Sequence, residues 1–284
     1  MPLINVLNGG AHAPNDLVIQ EFLLVPHGVD SFSEAIRAGS EIYESLRKIL
    51  DARNASTGLG DEGGFAPDLK AHGTALEVLV DAITQAGYRP GEQISLGLDV
   101  AANSFRRESG YLLEGHPLTS EQLVIEYEQL ASRFPLVSLE DPFAEDDTAG
   151  WKLLMERLGG SQQIVGDDLT VTDAARITAA AQAQEINAVI LKPNQIGTVT
   201  DALAARRAAA DAGITAIASH RSGETTDDWI ADLAAAWRCS QIKAGSVARG
   251  ERVAKYNRLL EIERTLGSGV EYAGRTFRAG GARG

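Results

Sequence analysis

The stretch Asn187-Ala-Val-Ile-Leu-Lys-Pro-Asn-Gln-Ile-Gly-Thr198 indicates how the chain folds. The four apolar residues of Ala188–Leu191 precede Lys192 and Pro193, in a run too short for a helix and too apolar for a loop. Such a run is typical of a strand buried on both faces, and Pro193 helps to end it because proline cannot donate to a sheet ladder. Lys192 therefore stands where ligands bind in parallel α/β proteins, at the carboxyl end of a strand. Taken alone, a lysine in this position more often extends its amine to solvent.

Strand and helix patterns continue on both sides of this stretch. Two β-rich runs near the N-terminus are joined by a short loop, so we expect them to pair antiparallel. Two helices follow, starting at the capping boxes Ser31-x-x-Glu34 and Thr74-x-x-Glu77, and from residue 94 each strand is followed by a helix. The pattern predicts an α/β fold, an eight-stranded TIM barrel with a modified ββαα(βα)6 opening. The predicted strands are Leu3–Leu7, Val18–Pro26, Ile94–Asp99, Leu136–Leu139, Gln163–Gly166, Ala188–Lys192, Thr215–Ser219 and Gln241–Ala244. The later helices are predicted to begin near Thr119, Trp151, Thr172, Thr198, Thr226 and Glu251.

The chain contains no internal repeat and no linker-like stretch, so we expect one domain over residues 1–272. Residues 273–284 carry few apolar groups, and the sequence predicts a disordered tail there.

Composition limits the class of protein and of partner. The chain has 284 residues, of which 44% are hydrophobic and 23% charged, which is ordinary for a globular protein. It has no apolar run of the roughly 18 residues that cross a bilayer, and its N-terminus lacks the pattern of a secretion signal. A single cysteine, Cys239, fits a reducing cytoplasm. A net charge of -13 argues against nucleic acid and anionic membranes as partners.

Acidic residues end three consecutive predicted strands. They are Asp99, Glu140 and Asp167. Each one singly is more often a helix cap or a solvated turn. Together at the mouth of a barrel they would repel one another without a cation, and three oxygen ligands suit Mg²⁺, which rarely receives a full protein cage.

Neighbouring residues add candidates for proton transfer and anion binding. Lys192 would face the ion, whose charge would depress the pKa of the amine and let it act as a base. Arg221 and Ser222 follow the seventh strand and suit a phosphate or carboxylate. Glu62 lies in the loop Gly60-Asp-Glu-Gly-Gly64, where glycines allow a close approach to a ligand. Near other carboxylates its pKa should be raised, as a general acid requires, although a tight acidic surface turn is the simpler interpretation of the loop alone.

Nine motifs, taken in order, resemble the enolase (phosphopyruvate hydratase) family from Asn5 to about Gly274. The motifs are Asn8-Gly-Gly-Ala-His12, Gln20-Glu21-Phe22, Gly60-Asp-Glu-Gly-Gly-Phe-Ala-Pro67, Leu98-Asp-Val-Ala-Ala102, Leu139-Glu-Asp-Pro142, Gly166-Asp-Asp-Leu169, Lys192-x-Asn-Gln-Ile-Gly-Thr198, Ser219-His-Arg-Ser-Gly-Glu-Thr225 and Gln241-Ile-Lys243.

The resemblance implies an enolase-type barrel that dehydrates 2-phosphoglycerate to phosphoenolpyruvate with Mg²⁺, a hydro-lyase step of glycolysis and gluconeogenesis. It implies Lys192 as the base, Glu62 as the acid, and Asp99, Glu140 and Asp167 as metal ligands. The residues it implies for substrate contact are His12, Gln20, Glu21, His220, Arg221, Ser222 and Lys243.

The sequence departs from the family pattern in several places. Enolases carry an N-terminal domain before the barrel, which supplies a loop that closes the site, and this sequence begins almost at the first barrel strand. A homo-oligomer or a separately encoded N-terminal domain is therefore an expected partner, beside the small-molecule substrate. Pro193, Ala244 and Gly250 also differ from the residues usual in the family, and Pro193 adjoins the expected base.

Three functional hypotheses remain open at this point. The first is an active enolase. The second is an enolase-like barrel that binds Mg²⁺ and phosphorylated acids, or a protein partner, without turnover. The third is another acid- or sugar-processing member of the same superfamily, which the intact Gly60–Gly64 and Ser219–Glu224 motifs disfavour.

Overall fold

The computed structural model describes residues 1–280. Its strands and helices follow the predicted ββαα(βα)6 order. They are β1 (Pro2–Asn8), β2 (Glu21–Val25), α1 (Phe32–Ala52), α2 (His72–Gln85), β3 (Ser95–Asp99), β4 (Arg106–Arg107), β5 (Gly110–Leu113), β6 (His116–Leu118), α3 (Ser120–Arg133), β7 (Leu136–Glu140), α4 (Thr148–Leu158), β8 (Gln163–Gly166), α5 (Ala174–Gln182), β9 (Ala188–Leu191), α6 (Pro193–Ile196), α7 (Val199–Asp211), β10 (Thr215–Ser219), α8 (Trp229–Ala236), β11 (Gln241–Lys243) and α9 (Gly250–Leu266).

Eight strands close into a barrel in the order β1-β11-β10-β9-β8-β7-β3-β2. β2 pairs antiparallel with both of its neighbours, β1 and β3, as the short connection predicts, and the remaining pairs are parallel. Because β2 runs against the others, its first residue, Glu21, lies beside Asp99 at the end of β3. Glu21 from the start of β2 and Asp99 from the end of β3 thus reach the same rim of the barrel.

All eight predicted barrel strands are confirmed to within three residues at each end. The starts of α2 and α4 differ by two or three residues from the prediction. α2 begins at His72 and not at Thr74, since the Glu114 carboxylate accepts a hydrogen bond from the His72 amide at 2.6 Å. α4 begins at Thr148, three residues before the predicted Trp151, because Asp147 caps it.

Two elements have no counterpart in the sequence prediction. One is the small antiparallel sheet β4-β5-β6, inserted between β3 and α3. The other is the single turn α6, which begins at Pro193, where a missing amide proton costs nothing. Pro193 is therefore compatible with the turn that follows Lys192.

The described part of the expected tail packs on the barrel, which differs from the predicted disorder. Ala273–Thr276 form one 3₁₀ turn, and the Phe277 ring lies 5.6 Å from the ring of His27. Just before it, the Tyr272 hydroxyl donates to the carbonyl of Pro26 at 2.7 Å. Residues 281–284 lie outside the described part. No helix among residues 1–280 is both long and apolar enough to cross a membrane.

Candidate active site

A cavity of about 130 Å³ opens at the carboxyl ends of the barrel strands. The residues that line it are His12, Gln20, Glu21, Glu62, Asp99, Asp167, Lys192, Ser219, His220, Arg221, Ser222 and Lys243. The structure thus brings together every predicted site residue except Glu140, which is buried beneath the cavity and contacts Lys243. A larger cavity of about 260 Å³ lies at the start of α2, but its His72 and Arg133 are already paired with Glu114 and Glu77.

Lys243 is the centre of the charge arrangement. Its Nζ lies 2.7 Å from Asp99 Oδ2, 2.9 Å from Glu140 Oε1 and 3.2 Å from Glu21 Oε2. Burial lowers the pKa of this amine, but the carboxylates outweigh burial and raise the pKa well above its usual value. One fixed ammonium group thus contacts three buried carboxyl groups and offsets part of their charge, and it does so from β11, the strand that closes the barrel onto β1.

The predicted metal ligands fit a hard cation by their chemistry. Asp99, Glu140 and Asp167 are all buried, and Asp167 Oδ1 has no hydrogen-bond partner. Burial and the charge of Asp99 raise the pKa of Glu140 well above its usual value, which indicates more negative charge here than the lysines compensate. An all-oxygen set with surplus negative charge suits Mg²⁺.

The compact acidic groups of the structure differ from the predicted trio. Among residues 1–280, two groups of side chains have possible metal-ligand atoms within 4.8 Å of one another. One group is Asp141, Asp167 and Asp168, and the other is His12, Glu21 and Glu62. Asp141 accepts hydrogen bonds from the amides of Asp167 and Asp168 at 2.8 and 2.9 Å and so holds the Asp167 backbone in place. The sequence contains Asp141 next to a predicted ligand, but its role depends on contacts 26 and 27 residues away and was not predicted.

Lys192 lies against Asp167. Its Nζ donates to Asp167 Oδ2, and its backbone amide donates to the hydroxyl of Thr172 at 2.9 Å. Burial lowers the pKa of Lys192, but the Asp167 carboxylate outweighs burial and the pKa ends above its usual value. The sequence predicts a depressed pKa for Lys192 because a cation would face its amine. In the structure the amine contacts the Asp167 carboxylate, and the pKa of Lys192 is raised instead.

Glu62 differs from the prediction of a raised pKa. It reaches the site because Gly63, at φ +87°, turns the loop so closely that a side chain there would meet the carbonyl of Ala248. Burial raises the pKa of Glu62, but His220, whose Nε2 is 3.1 Å from Glu62 Oε2, outweighs burial together with Lys243 and holds the pKa well below its usual value. The lowered pKa favours the ionised form of Glu62.

Glu21 is the carboxyl group of this pair whose pKa is raised. Burial and the charge of Glu62 raise the pKa of Glu21 to about 7, against the opposing effect of Lys243. His12 joins the pair, with Nδ1 3.4 Å from Glu21 Oε1 and 3.9 Å from Glu62 Oε1. Two adjacent buried carboxyl groups disfavour double ionisation, so one proton belongs to the pair.

The remaining predicted contacts lie on the rim. Gln20 Nε2 donates a hydrogen bond to Asp99 Oδ2 at 3.3 Å. Arg221 is partly exposed and its Nη1 donates to Asn194 Oδ1 at 3.3 Å, while Ser222 is exposed. These positions leave guanidinium and hydroxyl donors available at the mouth of the cavity.

The arrangement places a lysine, two adjacent buried carboxyl groups and a set of acidic residues that could hold a cation around one cavity of an eight-stranded barrel. The chain matches the family model described as "Enolase, C-terminal TIM barrel domain" over residues 1–280. That match covers all but the last four residues, and we conclude that the chain belongs to the enolase C-terminal TIM barrel domain family.

Proposed function

We propose that this barrel dehydrates 2-phosphoglycerate to phosphoenolpyruvate. The observation that carries the proposal is the cavity itself, because Lys192, Glu21 and Glu62 all line it. Dehydration next to a carboxylate needs a base for one carbon and a proton donor for the hydroxyl on the next carbon. Both groups are available here, and the cations Lys243 and Arg221 can offset the charge of an anionic substrate.

The proposed reaction transfers two protons and breaks one carbon–oxygen bond. The Lys192 amine accepts the C2 proton, the C2–C3 double bond forms as the C3–O bond breaks, and the departing hydroxyl group receives the proton of the Glu21–Glu62 pair and leaves as water. Lys192 has to be neutral for this step, so its contact with Asp167 must loosen when substrate is bound. The raised pKa of Glu21 keeps a proton in the site near neutral pH.

Asp99, Glu140 and Asp167 would hold Mg²⁺. When bound, the ion would supply positive charge for the dianion that develops as the C2 proton leaves. Asp141 keeps Asp167 in position for that task through the Asp167 amide. Lys243 sits between two of the three ligands and limits their mutual repulsion.

The test is formation of phosphoenolpyruvate from 2-phosphoglycerate and Mg²⁺, followed by absorbance. The chain is assayed alone and with a separately produced enolase N-terminal domain, because the resemblance implies that such a domain closes the site. Lys192→Ala should lower kcat by about 10²–10⁴-fold, as expected for loss of a general base. Lys152→Ala on the exposed face of α4 is the matched control and should retain the activity.

Calorimetric measurement of 2-phosphoglycerate binding distinguishes an active enzyme from a barrel that binds phosphorylated acids without turnover. Turnover in the parent protein that Lys192→Ala loses supports the proposal. Binding of 2-phosphoglycerate without turnover in either assay would reject it and favour a barrel that only binds phosphorylated acids.

A further inference from the structure

Arg252, at the start of α9, joins two loops of the site. Its guanidinium group is buried, with 1% of the residue exposed. Nη1 donates to the carbonyl of Arg221 at 2.7 Å, and Nη2 donates to the carbonyls of Ser222 at 2.6 Å and Asp61 at 3.1 Å. One side chain thus holds the backbone of the loop that carries Glu62 against the loop that carries His220.

The same guanidinium group contacts the ring of His220. Arg252 Nη1 lies 2.6 Å from His220 Nδ1. A guanidinium group has only donors, so Nδ1 must accept and cannot carry a proton. The proton of a neutral imidazole ring then has to reside on Nε2.

The Nε2 side of the ring lies beside the Glu62 carboxylate. His220 Nε2 is 3.1 Å from Glu62 Oε2, but this contact lacks hydrogen-bond geometry, and Nε2 has no hydrogen-bond partner among the described residues. Burial lowers the pKa of His220, Glu62 opposes this, and the charge of Arg252 adds to the lowering, so the ring remains neutral at neutral pH. A neutral ring with its proton on Nε2 can donate to Glu62 or to a substrate oxygen beside it.

We propose that Arg252 is a positioning residue that holds His220 in the Nε2–H tautomer and holds the loops of Asp61–Glu62 and His220–Ser222 together. The inference deepens the proposed function, on which its catalytic consequence rests. Its structural part, the tautomer, can be measured without any turnover.

Nitrogen-15 NMR of the labelled protein tests the tautomer directly. His220→Gln assigns the ring among the five histidines of the chain. The proposal expects a non-protonated Nδ1 and a protonated Nε2 at neutral pH. A protonated Nδ1 in the parent protein, either as the other tautomer or as imidazolium, would overturn the proposal without the need for any Arg252 variant.

Two arginine variants then separate tautomer control from loop support. Arg252→Gln should give His220 a mixture of tautomers and lower kcat by about 100-fold, the size of loss that a small misplacement in a site causes. Arg249→Gln is the matched control, because Arg249 Nη1 also donates to the carbonyls of Gly60 and Asp61 but does not contact His220. The control should keep the Nε2–H tautomer.

The outcomes distinguish this inference from the proposed function. An unchanged tautomer in folded Arg252→Gln, or the same change in Arg249→Gln, would reject the role of Arg252 while enolase activity stood. A parent protein with the expected tautomer but no turnover would reject the proposed function alone.

Discussion

At the scale of single residues, the main result concerns which carboxyl group carries the proton. The residues near Glu62 in the fold are two histidines and Lys243, and these cations and donors favour its ionised form. Glu21 has Glu62 and Asp99 as like-charged neighbours, so it retains a proton. Sequence reasoning placed the raised pKa on Glu62 because it identified the surrounding carboxylates and not the histidines between them. The raised pKa belongs to Glu21 and the lowered pKa to Glu62 because of contacts that the linear sequence does not display.

The raised pKa of Glu21 makes the stability of the folded protein depend on pH. The pKa of Glu21 is raised from 4.5 to about 7, so the folded state binds the proton more tightly than the unfolded state, and stability falls as the pH rises between those values. Glu62→Gln removes the like charge and should lower the pKa of Glu21, which reduces this loss by about 1.4 kcal/mol for each pKa unit. Urea unfolding from pH 4.5 to pH 8 measures it.

The exposed Glu108→Gln is the control and should leave the pH dependence unchanged. The lowered pKa of Glu62 itself acts below about pH 4.5, outside this window. An identical pH slope in Glu62→Gln and the parent protein would mean that Glu21 does not hold the proton.

At the scale of elements, the connection after β8 positions the start of α6. Val171 and Thr172 adopt left-handed backbone conformations, with φ of 44° and 60°, which are unfavourable for β-branched residues. The Thr172 hydroxyl accepts the amide of Lys192 and contacts Gln195 at 2.9 Å. Strained backbone of this kind persists where the surrounding structure imposes it, often beside functional groups.

Removal of this hydroxyl should misplace Lys192. Thr172→Val keeps the shape of a residue that is 0% exposed but leaves the Lys192 amide without a partner, at a cost of about 1–3 kcal/mol. Chemical denaturation and the activity assay should both report a loss. Thr172→Ser retains the hydroxyl and should lose less of each; equal losses would show that the methyl group and not the hydrogen bond matters.

Most barrel strands were predictable because they are short apolar runs ended by a polar or charged residue, and Ala188–Leu191 is the clearest example. Helix starts at Ser31, Thr119 and Thr198 were predictable from their own capping side chains. The start of α2 was not predictable, because the Glu114 side chain that caps it comes from the small sheet. The strands of that sheet have two to four residues, too few to give a periodic sequence pattern. The roles of Asp141, Thr172 and Arg252 also depend on distant contacts.

At the scale of the whole molecule, closure of the barrel concentrates negative charge. Asp99 and Lys243 are 144 residues apart in the chain, and their side chains are 2.7 Å apart in the structure. The arrangement requires strands that are distant in the sequence, so the proposed cation site would form only in the folded barrel. A ligand that binds only the folded state stabilises it by mass action.

Added Mg²⁺ should therefore raise the Tm of the protein. At a free concentration one hundred times the Kd, the expected gain is about 2.7 kcal/mol. Asp99→Asn should show a smaller gain, and the exposed Asp146→Asn should match the parent protein in calorimetry at constant ionic strength. Equal Tm increases in all three would place the bound ion elsewhere.

The division of labour between Lys192 and Glu62 is tested most directly by exchange of the C2 proton of 2-phosphoglycerate in D₂O, followed by proton NMR beside phosphoenolpyruvate formation. We expect Lys192→Ala to lose both exchange and product, and Glu62→Gln to retain exchange and lose product. Equal loss of exchange in the two variants, or exchange retained in Lys192→Ala, would contradict this expectation.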